Sequence, residues 1–109
     1  MEFIDLRKVL SNIKEYNWSD ALYLPEDETW DLETKAAIID PDDVEDDSDE
    51  VPLFAKHNYL MYALDIQTIK GIINNALMQK NDCTHSDLLE AFLYYYDNDA
   101  FIVINKHHK

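Results

Sequence analysis

The chain has 109 residues, 47% of them hydrophobic and 12% aromatic, and a formal net charge of −14. That length holds one domain around one core, and the apolar content is enough to fold it despite the charge. A surface this acidic repels nucleic acid and anionic lipid, which argues against direct RNA or DNA binding, and attracts basic proteins and, more weakly, divalent cations. No run reaches the roughly 18 apolar residues of a membrane span. The opening MEFIDLRKVL carries Glu2 and Asp5 with no long apolar stretch, so it does not read as a signal peptide. The single cysteine, Cys83, excludes an internal disulfide. The expectation is a soluble cytoplasmic protein. One glycine in the whole chain disfavours an all-β sandwich and favours helices joined by Asn- and Asp-rich turns.

In chain order, residues 3–16 place Phe3, Leu6, Val9, Leu10, Ile13 and Tyr16 at spacings of three and four, which predicts an amphipathic helix. Ala21–Leu24, ended by Pro25, predicts a short strand, and Thr34–Ile39 a second one stopped by Asp40-Pro41. Residues 40–51 form a mobile acidic loop. Leu53–Asn58 is a helical turn. Tyr59–Leu64 is a buried strand, because Asp65 follows it as an N-cap. Ile66, Ile69, Ile73 and Leu77 give a helix of about four turns, with Gly71 inside it marking a close helix crossing. Thr84 and Asp87 cap a further helix whose inward face is Leu88, Leu89, Phe92, Leu93 and Tyr96. Asp97–Asp99 is a turn, and Ala100–Ile104 (AFIVI) is a closing strand. The assembly is a small single α+β domain over residues 1–105, about three helices packed on a short three- or four-stranded sheet, with a polar tail at 106–109.

The most informative stretch is DPDDVEDDSDE, residues 40–50, in which eight of eleven positions are carboxylates and none is basic. Such a strip resists compaction unless something cationic meets it. As an EF-hand loop counted from Asp43 it fails at the two diagnostic places, with Ser48 for the glycine and Phe54 for the final glutamate. Weak, unordered binding of divalent cations is what remains of that reading. As a protein-recognition element it can dock into a basic groove and raise the association rate by steering. The bland alternative is a solvated strip that only keeps the protein soluble. The candidate partner-binding residues are Asp42, Asp43, Glu45, Asp46, Asp47, Asp49 and Glu50. Trp30, set among Glu26, Asp27, Glu28, Asp31 and Glu33, is the candidate apolar anchor, since tryptophan is enriched at hot spots. Packing over the edge of the domain is its structural alternative. Tyr94-Tyr95-Tyr96 sweeps about 200° of a helix, so Tyr96 joins the core face while Tyr94 or Tyr95 points elsewhere. Tyr95 completes the candidate set.

No enzyme signature is present. Cys83-Thr84-His85 makes neither a zinc site nor a catalytic triad without partners elsewhere. One glycine leaves no room for a phosphate-binding loop. No catalytic residue, cofactor or ordered metal site is therefore expected.

The stretches LPEDETWDLETKAAIIDPDD (24–43) and LLEAFLYYYDNDAFI (88–102) resemble small acidic bacterial immunity proteins of toxin–immunity pairs, such as those of contact-dependent growth inhibition. The resemblance spans Leu24 to Ile102. It implies a protein that binds and neutralises a cognate toxin, often a nuclease with a basic cleft, by occluding that cleft. It carries no binding residues of its own onto this chain. The rival from another class is an acidic nucleic-acid mimic that regulates a DNA-binding protein, which needs carboxylates spaced like duplex phosphates along a long face.

Overall fold

The computed structural model describes residues 3–42 and 53–104. They form four strands and four α-helices in the order β1 (Ile4–Asp5), α1 (Leu6–Ser11), β2 (Ala21–Pro25), β3 (Lys35–Ile39), α2 (Leu53–His57), β4 (Leu60–Asp65), α3 (Ile66–Gln79) and α4 (His85–Asn98), with a single 3-10 turn at Ile13–Glu15. The strands make one antiparallel sheet, β1-β3-β2-β4. This is the expected α+β domain.

The alternation of side chains along the strands decides how the layers form. On the central strand β2, Leu22 and Leu24 point to one face and Ala21 and Tyr23 to the other, and all four are buried. The first face receives α1, α3 and α4, whose Leu6, Val9, Leu10, Ile66, Ile69, Ile72, Ala76 and Phe92 fill the main core. Among the described residues the second face is covered by the five-residue α2, where Ala55 packs with Ala21, Tyr23, Ala37, Ile39 and Leu60.

Three expectations are corrected. The helix predicted over 3–16 is shorter. Ile4 and Asp5 pair with Ala36 and Lys35 instead, and the Leu6 and Arg7 amides donate to the carbonyls of Thr34 and Leu32. The free edge of β3 offers these residues a ladder, and a Lys35–Asp5 ion pair lies across it. The stripe Leu6, Val9, Leu10 and Ile13 is buried as its spacing requires, but Asn12 ends the regular helix, its side-chain amide donating to the Lys8 carbonyl at 3.0 Å. Second, Ala100–Ile104 is no strand. The Gln79 side chain holds it instead, donating to the Ile102 carbonyl at 2.9 Å and accepting from the Ile104 amide at 2.8 Å. One side-chain amide thus supplies the two bonds that a neighbouring strand would have given, and Ile102 packs on the main core. Third, Gly71 does not mark a close helix crossing. A Cβ added there would meet the Phe101 ring at 4.0 Å, an ordinary contact.

The helix caps are as expected. The Asp65 carboxylate accepts from the Thr68 amide at 2.6 Å to start α3. Thr84 and Asp87 form a reciprocal capping box at the start of α4. That helix runs one residue past Asp97 and stops at Asp99, a left-handed residue.

Candidate partner-binding face

Asp43, Glu45, Asp46, Asp47, Asp49 and Glu50 lie outside the described residues. The fold nevertheless fixes where their segment is attached. It leaves from Asp42, three residues after the buried Ile39 of β3, and returns at the start of α2. Both Ile39 and Ala55 of α2 belong to the small second-face core. The Asp40 carboxylate accepts from the Asp42 amide at 2.9 Å, which turns the chain out of the sheet. Ten residues that carry six carboxylates therefore join β3 to α2, two elements that share the second-face core.

That face is aromatic. Tyr23 is buried, and Tyr62 on the adjacent edge strand meets it edge-on, ring centroids 5.6 Å apart. Tyr62 is 46% exposed, whereas Leu60 of the same strand is buried with Ala55 of α2. Phe3 packs against Phe54 of α2 at 5.4 Å. Burial, then Tyr62, Asp40 and Asp42, holds the Tyr23 hydroxyl above its ordinary value. Burial and Asp65 do the same for Tyr62. Both phenols stay neutral donors at physiological pH. The face is thus an apolar and aromatic floor with anionic groups at its border.

Trp30 and Tyr95 are placed differently from Asp42. The register pairs Ala21 with Ile39, so Asp40–Asp42 sit at one end of the β2–β3 hairpin. Trp30 sits at the other end, its indole N–H donating to the Pro25 carbonyl at 2.8 Å. Its ring lies against Tyr96 at 4.9 Å and Phe92 at 6.5 Å, on the helical side of the sheet. Tyr95 packs on Phe101 at 5.5 Å. Of the acids flanking Trp30, Asp31 holds a turn by bonding the Thr34 hydroxyl and the Glu33 amide, and Glu33 pairs with Arg7 at 2.8 Å. The fold therefore does not bring Asp42, Trp30 and Tyr95 into one patch. Tyr62 and Tyr59 are the aromatic residues that sequence reasoning missed. The run YLMY reads as buried strand, but Tyr59 lies in the turn before β4 and Tyr62 on an edge strand, and both are exposed.

Cys83, Thr84 and His85 serve the start of α4. Thr84 is the N-cap, and the Cys83 sulfhydryl is directed at the Lys80 carbonyl, 3.0 Å away. Among the described residues, no three His, Cys, Asp or Glu side chains are grouped to hold a metal ion, and no helix is long and apolar enough to cross a membrane. An open groove of about 470 Å³ between the 3-10 turn and α3 is lined by Ile13, Lys14, Lys70, Gly71, Ile73, Asn74 and Leu77. It holds no carboxylate, histidine or cysteine.

A family model described as a domain of unknown function, DUF7716, matches residues 3–104. The chain belongs to that family. No curated protein and no solved structure matches it.

Proposed function

We propose that this member of the family is an inhibitor of the immunity type. It binds a basic protein in the cytoplasm, a cognate nuclease toxin foremost, and neutralises it by occluding its active-site cleft. It works by binding and not by catalysis. The observation that carries this reading is the density of carboxylates in residues 40–50, eight in eleven, tethered at both ends to a partly open aromatic face. Charge of one sign held at one place accelerates encounter with the opposite sign, and an aromatic floor supplies the contact area that charge alone lacks.

The test has two stages. A large reading frame adjoining this gene is expressed in a heterologous host, alone and with this protein, and rescue from toxicity is expected. Association of the purified pair is then followed by stopped flow across a salt series. Neutralising Asp46, Asp47 and Asp49 to asparagine slows association and flattens its salt dependence. Absence of rescue, or a triple variant with the wild-type rate and salt slope, refutes the proposal.

A further inference from the structure

We infer that Tyr59, with Tyr62 beside it, is an aromatic anchor that stacks on arginine side chains of the basic partner. This rests on the reading that the partner is basic, and deepens it by naming the contact.

The starting point is a backbone conformation. Tyr59 has φ 56°, one of two described residues other than glycine in the left-handed region. It stands just past α2. The Asn58 amide closes the last helical turn onto the Phe54 carbonyl, the Asn58 side chain bonds the same carbonyl at 2.7 Å, and the Tyr59 amide reaches back to Lys56. This post-helical position is where glycine, or after it asparagine, adopts the left-handed conformation at least cost. A tyrosine is disfavoured there by its Cβ. Packing does not compensate, because the residue is 74% exposed. Neither local geometry nor the core accounts for this side chain, and an unexplained strained residue on a surface points to function.

Its surroundings identify the occupant. The Glu26 amide donates to the Tyr59 carbonyl, which ties Tyr59 to the far end of β2. The β2–β4 register then runs from Pro25 opposite Leu60, through Tyr23 opposite Tyr62, to Ala21 opposite Asp65. Glu26 therefore stands at one end of an aromatic strip and Asp42 at the other, with Asp40 and Asp65, whose carboxylates each also accept one backbone amide. These outnumber Lys56 and His57 at the end of α2. A π face within about 6 Å of a cation attracts it, and a planar guanidinium stacks better than an ammonium. Carboxylates at the two ends take the charge while the rings take the plane. The chemistry fits a protein surface that carries arginines.

The probe is a ten-residue arginine peptide, with a ten-residue lysine peptide beside it, titrated into the intact chain at low salt and followed by amide NMR shifts. The expected result is tighter binding of the arginine peptide, with shifts at Glu26, Tyr59 and Tyr62. Y59G and Y59N each keep the left-handed backbone, retain or exceed the wild-type melting temperature, and weaken the arginine peptide about two- to fivefold. Arginine-peptide binding that is unchanged in both variants, or shifts confined to residues 40–52, overturns the anchor and leaves the charge reading standing. A wild-type chain that binds neither peptide overturns both.

Discussion

Trp30 separates folding from recognition. Its indole N–H donates to the Pro25 carbonyl, and its ring is wedged against Tyr96 and Phe92 of α4. Trp30→Phe keeps a ring and deletes the hydrogen bond, which is worth about 1 kcal/mol. Trp30→Ala also deletes two aromatic contacts of about 0.5–1.5 kcal/mol each, together with the buried ring area. Because the indole is only partly buried, the total falls at the low end of the range for tryptophan truncation, about 3 kcal/mol. With a urea m-value of about 2 kcal/mol/M, typical of a small domain, the midpoint should fall by about 1.5 M for Trp30→Ala and about 0.5 M for Trp30→Phe. Far-UV circular dichroism reads this without interference from the second tryptophan, Trp18. If Trp30→Ala instead unfolds within about 0.5 kcal/mol of wild type while dissociating faster from its partner, Trp30 is a surface anchor and the packing argument fails.

Gln79→Leu should cost about 2 kcal/mol, since it breaks two half-buried bonds to the backbone of residues 102 and 104. The loss should appear first as faster hydrogen exchange at Ile104, with α3 itself still protected; an Ile104 amide that exchanges at the wild-type rate contradicts the clamp. Thr84→Ala removes the α4 cap and should cost about 1 kcal/mol by thermal melt. The Asp87 carboxyl lies below its ordinary 3.8, chiefly through its hydrogen bond to Lys80 and then the Thr84 amide. A carboxylate depressed on folding stabilises the native state above its unfolded pKa and loses that contribution as pH falls through the native one. Melting temperature should therefore drop below about pH 4 in the wild type and less steeply in Asp87→Asn; parallel acid limbs would remove Asp87 from the account.

The parts legible in the sequence were those decided by neighbours along the chain. The spacing of Ile66, Ile69 and Ile73, the caps at Asp65 and Thr84, and the β-rich runs at 21–24 and 34–39 each carry their own signal, and each formed to within a residue of its expected bounds. The two missed elements share one cause, which is pairing with a distant partner. Phe3–Asp5 continues a helical pattern, but Ala36 and Lys35 take its backbone into the sheet. AFIVI has strand composition, but it pairs with no described strand, and the Gln79 side chain bonds its backbone instead. The candidate site was legible as charge and illegible as surface. Composition located the carboxylates, whereas the exposure of Tyr62 and Tyr59 depends on sheet order and on the turn before β4.

The acidic strip and the left-handed tyrosine have a common consequence: each opposes folding. Six of the carboxylates, with no base among them, lie between Asp43 and Glu50, where mutual repulsion disfavours the compact state. Tyr59 holds a conformation that would cost glycine nothing. Both features are joined in sequence to elements of the second face, the face proposed above to meet a partner. This yields a signature that neither feature gives alone. Asparagine at Asp46, Asp47 and Asp49 should raise the melting temperature at low salt by a few degrees, and the gain should fade as salt screens the repulsion. Glycine at Tyr59 should raise it independently of salt, because its strain is steric. Both should weaken the grip on a cationic partner. If the asparagine variant is instead less stable than wild type at low salt, those carboxylates hold the fold together, and a strip kept free for a partner is the wrong description of them.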